Sequence, residues 1–367
     1  MVSTLGLLTL GCRPIAPSLS PSAVQAPPAG LQLSSVALPA APTERSVLST
    51  MRWRGQDFEV SYTPLLVVGQ QHGEAARVSL IHDVSGLPLL DDDGHVRVCN
   101  SLDGATLLQV EGRLWSVVHG ECYPGGLQLS ELAQDGETGA LSLLSTASVD
   151  LSHLGGGGLF CAADVSPWQS HLAGEEYEPP ADRLLPDGTI EGDWQLYNSL
   201  AGYHRGQLST VSPYRFGWVD ELQVHQGRAT VDKRFAMGRF SHELGRVMPD
   251  GRTVYLSDDG ANGGFFVFIA DREGDLSSGR LYASRWDQQT PRQHALSWID
   301  LGPASEAAIA QAIDQGVAFA DLIERGEAGE VCAQGFTRVR TTHERGCVRV
   351  VPGQEELASR LEARRYA

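Results

Sequence analysis

The stretch LFCAADVSPWQSHLAGEEYEPP, residues 159–180, sets one cysteine, one histidine and three acids in four positions among apolar, strand-like neighbours. A thiolate beside carboxylates is electrostatically disfavoured unless a cation compensates, because a metal deprotonates the thiol and draws the acids together. Two other places end an apolar run on ionisable residues. In RLWSVVHGECYPGG, Glu121 follows such a run and precedes a Pro-Gly turn. In GRFSHELGRVMPDGRTVYLSDDGANGG, Ser241, His242 and Glu243 come first, and Asp258 and Asp259 close the next run. Carboxylates are the ligands that hard cations require, so calcium or iron stays open. Taken singly, an acid is most often a solvated loop residue and a cysteine an inert buried thiol, so only convergence in space makes the set functional.

The elements that would bring them together read as β. Gly (41) and Pro (19) recur between short apolar runs, and from residue 46 onward HVRVCN, ATLLQV, RLWSVVHG, LQLSELAQ and ALSLLS alternate with the strand period of two. Tight Gly turns inside VEGRLW, QDGETGALSLL, VHQGRATVDKRF and PDGRTVYLSDD join them as hairpins. Repeated hairpins over this length predict an all-β fold, a β-propeller, in which strand-end residues of different blades meet at a central channel. Helical spacing is confined to ASEAAIAQAIDQGVAFADLIE and GQEELASRLEARRYA near the C-terminus.

Composition narrows the partners. The 367 residues carry 28 Lys+Arg against 45 Asp+Glu, a formal charge of −17, and no basic stripe is visible, so no nucleic-acid partner is expected. GGGG at 155–158 lacks the Gly-Lys-Ser/Thr of a phosphate loop, and Ser241-His242 lacks the Gly-x-Ser-x-Gly frame of a nucleophile elbow. His171 and His242 read more readily as structural histidines than as ligands.

Residues 1–45 open on a short apolar segment ending in Leu-Gly-Cys and continue as a Pro/Ser/Ala-rich tether. That order predicts an exported protein, periplasmic, extracellular or an outer-envelope lipoprotein tethered through Cys12. The six cysteines form no CxxC pair. Cys332 and Cys347 flank a Gly-containing loop and are either a disulfide of an oxidising compartment or two unlinked thiols.

GECYPGG, CAADVSPWQSHLAGEEYEP, AMGRFSHELGRVMPDGRTVYLSDDGANGGFFVF, GDLSSGRLYASRW and the closing LEARRYA together resemble the PhoX-type alkaline phosphatases, in the family's order and over residues 46–367. The resemblance implies an exported six-bladed propeller with a few inserted helices that hydrolyses small phosphomonoesters through an iron (ferric) and calcium cluster, as a monomer. It places the iron-binding cysteine at Cys161, the paired acids of that block at Glu175 and Glu176, the Glu of the Ser-His-Glu block at Glu243, the acidic strand end at Asp258 and Asp259, and a further acid at Glu121. The family's twin-arginine export signal is absent. Family members continue past the RRYA helix into further blades with another metal-binding Glu and a phosphate-gripping Arg, so residues 46–367 are expected to be the N-terminal portion of a propeller. Two other functions fit the same features: a non-catalytic propeller that binds calcium or an envelope partner, and a calcium-dependent propeller lactonase.

Overall fold

The computed structural model describes residues 64–367 apart from 74–75, 92, 193, 261–262, 291–292, 328–330 and 341–344, and before them only Thr4–Leu5, Leu31–Leu33 and residues 49–60. Cys12 and nearly all of the tether read over residues 1–45 lie outside the described residues. Two compact units divide the chain at Val67/Val68. In the smaller, Leu31–Leu33, Ser49–Trp53 and Gln56–Val60 form one antiparallel sheet. The hairpin over residues 49–60, which the sequence assigns to the propeller, thus pairs with its N-terminal neighbour.

In the larger unit three antiparallel meanders follow one another as propeller blades. We number their strands from the first blade: β1 (Leu102–Val110), β2 (Arg113–Gly120), β3 (Gly126–Gln134) and β4 (Leu141–Ser148); then β5 (Leu159–Val165), β6 (His171–Glu176), β7 (Val219–His225) and β8 (Arg228–Lys233); then β9 (His242–Val247), β10 (Thr253–Asp258), β11 (Phe265–Arg272), β12 (Asp275–Thr290) and β13 (Gln293–Ser305). Each strand pairs with the next in sequence, and β5 lies beside both β1 and β9, so the first strand of each blade is its inner one. The hairpin signals fall where the sequence puts them. Glu111-Gly112 and Gln226-Gly227 take positive φ at both residues, the twist that a two-residue turn needs to match its strands. By contrast HVRVCN, read as a strand, makes only isolated bridges, Leu90 to Val96 and Leu80 to Val98.

The blades are held by what their strands bury between them. Leu108, Trp115, Val117, Leu127 and Leu129 of the first pack against Ala173, Leu222, Val224 and Val231 of the second. Leu172 and Val219, on the second blade's other face, pack against Val247, Val254, Leu256, Phe266, Phe268 and Leu281 of the third. Burial of this kind contributes about 25 cal/mol per Å² of apolar surface. Close packing needs small residues at two crossings. A Cβ on Gly104 would stand 2.5 Å from the Cys161 carbonyl oxygen, and one on Gly174 2.3 Å from that of His242.

Helices Glu306–Asp314, Phe319–Leu322, Glu355–Leu361 and Ala363–Tyr366 occupy the two segments with helical spacing and bury Ile309, Leu322 and Leu361 around Tyr214 and Trp218. Two further helices, Gln195–Asn198 and Leu200–Tyr203, sit in the connection between β6 and β7. Four residues are too few to show a 3.6-residue period in sequence. Cys332 and Cys347 form a disulfide, and so do Cys99 and Cys122, a pair the sequence left unread.

Candidate metal centre

One register is repeated at the inner end of all three blades. The pairs Leu102 with Gly120, Phe160 with Glu175, and His242 with Asp258 are each followed at once by a register shift that adds a residue to the inner strand. A bulge of this kind re-aims a side chain out of the pleat. The residue after the inner member of each pair is Asp103, Cys161 and Glu243; the residue after the outer member is Glu121, Glu176 and Asp259. Every blade therefore offers two ionisable groups from equivalent places.

These groups converge on the thiol. One ligand atom each from Cys161, Glu176 and Glu243 lie within 4.8 Å of one another, and the same holds for Asp103, Glu121 and Cys161. Cys161, the one free cysteine among the described residues, belongs to both sets and donates its S–H to Glu243 Oε2 at 3.4 Å. Asp259 stands at the rim, where its Oδ2 accepts from the Tyr177 hydroxyl at 2.9 Å.

Electrostatics separates these acids from their neighbours. Burial, and then Glu243 by hydrogen bond and charge, hold the Glu176 carboxyl up at about 8. Burial followed by Glu176, Asp103 and Glu243 pushes the Cys161 thiol far above its ordinary value. Burial also raises Glu121, whose Oε2 accepts from Ser101 Oγ at 2.9 Å. What perturbs these groups is desolvation and one another. Carboxylates gathered round a thiol, with Glu176 buried among them and Asp103 open to solvent, are a donor set that a bound cation reconciles, so the residues present fit a metal.

The family's sequence profile, described as "Alkaline phosphatase PhoX", matches residues 83–347, which take in all three blades and all of these acids. The chain belongs to the PhoX family. No curated protein matches this PhoX-family chain. It is similar to the solved structures of two putative 6-phosphogluconolactonases, from Bacteroides uniformis ATCC 8492 (12% identity) and Bacteroides fragilis NCTC 9343 (13%). Each comparison has a TM-score of 0.28 and covers 74% of this chain and 66% of the other.

Two residues that the resemblance assigned to the cluster are placed elsewhere in this PhoX-family fold. Neighbours on a strand face opposite ways, so Glu176 turns toward the third blade while Glu175 turns away. Glu175 is fully buried, accepts from the backbone N–H of Gly158, Gly217 and Trp218, and pairs with Lys233 Nζ at 2.6 Å. Its negative charge is already answered. Asp258 accepts from the Gly264 N–H at 2.7 Å and from Arg364, whose Nε approaches at 2.8 Å and which also holds Glu178. Burial nevertheless lifts the Asp258 carboxyl to about 6.

Asp103 is the residue that sequence reasoning missed. It precedes Gly104 in SLDGATLL, where Asp-Gly reads as a turn, and only the repeated register singles it out. The two histidines considered as ligands are engaged in hydrogen bonds. His171 Nδ1 lies 2.7 Å from Thr106 Oγ1, and His242 donates from Nε2 to the Gly238 carbonyl at 2.9 Å.

Proposed function

We propose that this chain is a metal-dependent phosphomonoesterase of the alkaline phosphatase type, or the part of one that carries its cluster. The observation behind this reading is the convergence of Cys161, Glu176 and Glu243 within 4.8 Å, with Asp103 and Glu121 equally close to the same thiol. Iron and calcium held there would supply Lewis acidity at a phosphoryl group. Cys161 offers the soft donor that suits iron, and the carboxylates offer the oxygens that suit calcium.

Export to an oxidising compartment belongs to the same reading. Two disulfides, Cys99–Cys122 and Cys332–Cys347, support it, since such bonds persist outside the reducing cytosol. No helix among the described residues is long and apolar enough to cross a membrane, and a lipid on Cys12 would be the tether. The substrates are small phosphomonoesters, and the chain works as a monomer. The deciding experiment is elemental analysis of protein purified without chelator, paired with hydrolysis of p-nitrophenyl phosphate between pH 7 and 10. Iron and calcium together with turnover support the reading; protein free of both metals sinks it.

A further inference from the structure

From the Cys161 carbonyl oxygen a chain of hydrogen bonds crosses two blades. His119 Nδ1 lies 2.6 Å from the Cys161 carbonyl oxygen, His119 Nε2 lies 2.7 Å from His171 Nε2, and His171 Nδ1 lies 2.7 Å from Thr106 Oγ1. The contributing strands are β2 for His119, β6 for His171 and β1 for Thr106. Both imidazoles are 0% exposed.

The carbonyl fixes the direction of the whole chain. A carbonyl only accepts, so the His119 proton is on Nδ1. His119 Nε2 is then an acceptor and takes the proton of His171 Nε2–H. That leaves His171 Nδ1 to accept from the Thr106 hydroxyl. Every donor meets an acceptor, and two neutral rings fill the gap between the first and second blades.

The accepting carbonyl belongs to the bulge of β5, where the ladder to β6 is interrupted between Phe160 and Ala163. A bulge leaves its extra residue without a ladder partner, so an outside donor decides how it sits. Gly104 makes the approach feasible, since a Cβ there would lie 2.5 Å from the Cys161 oxygen and 2.8 Å from His119 Nδ1.

We infer that His119, His171 and Thr106 are positioning residues that lock the Cys161 bulge so that its thiol faces Glu176 and Glu243. The inference rests on the reading of Cys161 as a site residue. The role is exerted through the backbone, and none of the three side chains needs to touch substrate.

The test measures the thiol directly. Full-length protein treated with chelator is alkylated with iodoacetamide under native conditions, and modification at Cys161 is followed by peptide mass. Loss of one hydrogen bond in the relay corresponds to about a tenfold change in the population of misaimed thiol. His119→Phe and Thr106→Val are therefore expected to alkylate about tenfold faster than wild type, and Thr106→Ser, which keeps the hydroxyl, at the wild-type rate. Ser130→Ala serves as the structural control. It breaks the buried Ser130–Thr146 hydroxyl contact at 2.8 Å in the first blade, and should lower the melting temperature without altering the Cys161 rate. Unchanged rates in Thr106→Val, or an equal rise in Ser130→Ala, overturn the inference; Thr106→Val, nearly isosteric, decides it if His119→Phe does not fold. A cobalt(II) titration separates the two readings. A thiolate-to-cobalt band in wild type that weakens in Thr106→Val supports the positioning role at the loaded site. No band in wild type counts against the metal reading, while the alkylation rates still decide the relay.

Discussion

Cys161 and Glu243 stand on adjacent inner strands at the same bulged position of their blades, with Sγ 3.4 Å from Glu243 Oε2. Without a metal that contact is a single weak S–H···O hydrogen bond, and burial and the neighbouring acids keep the thiol protonated. The pair is therefore the most direct handle on the cluster.

Replacing either member should unload the site without unfolding the protein. Cys161→Ala and Glu243→Gln are each expected to lose most bound iron and to lower phosphatase turnover by more than about a hundredfold. Stability should fall by only about 1–2 kcal/mol for the truncated sulfur. Metal content by mass spectrometry and a urea titration check both halves. Wild-type metal content in both variants refutes the assignment.

Asp103→Asn should behave like those two, because Asp103 holds in the first blade the position that Cys161 and Glu243 hold in theirs. Lower metal affinity with an unchanged melting temperature of the metal-free protein is the expected result. Calorimetric titration with calcium reads the first quantity and thermal unfolding the second.

Glu175→Gln should do the opposite. It removes the nearer of the two carboxyl groups on Lys233, whose side chain is only 1% exposed, leaving Asp220 at 4.0 Å, and breaking a buried ion pair costs about 3–5 kcal/mol. Urea unfolding should show that loss, and Glu175→Gln with Lys233→Met should recover a large part of it. A Glu175→Gln protein of normal stability that has lost its metal would return Glu175 to the cluster.

The metal-free protein should lose stability as pH rises toward 8. The Glu176 carboxyl is held at about 8 in the fold against about 4.3 in an unfolded chain. The folded state thus keeps a proton that the unfolded state has released, so stability falls with pH between those values and levels off above 8. Urea midpoints at pH 6.5 and 8.5 should differ in that direction for wild type and far less for Glu176→Gln. Three buried histidines act the other way in acid. His119 is lowered to about 4 and His242 to about 3, and His171 lies well below its ordinary value, all chiefly through burial. The unfolded chain takes up these protons first, so stability also drops as pH falls below about 6.5, most cleanly in the Glu176→Gln background.

Opening the Cys332–Cys347 disulfide should weaken the fold without removing a cluster residue. Cys332–Cys347 spans 15 residues, a loop whose closure contributes about 3 kcal/mol. Non-reducing peptide mapping should find this bond and Cys99–Cys122 with Cys161 free. Reductant should lower the melting temperature while Cys347→Ala keeps its metal.

The alternation of RLWSVVHG and LQLSELAQ, the Glu-Gly and Gln-Gly turns and the Ala/Ile/Leu spacing near the C-terminus determined on their own that the chain forms hairpins and ends in helices. All of these are local consequences of backbone geometry. Local chemistry also singled out Cys161, since a thiol among acids is conspicuous in any register. What the sequence did not determine was which acids meet it. Glu175 and Glu176 are chemically identical neighbours, and only the facing of β6 between two blades sends one to Lys233 and the other to Glu243. Asp258 and Asp259 divide in the same way, because Arg364 arrives from more than a hundred residues later to bind the Asp258 carboxylate, while that of Asp259 accepts from Tyr177. Asp103 has no local mark at all. Its place at the cluster comes from a bulge repeated in three blades, and a bulge exists only once strands distant in sequence have paired.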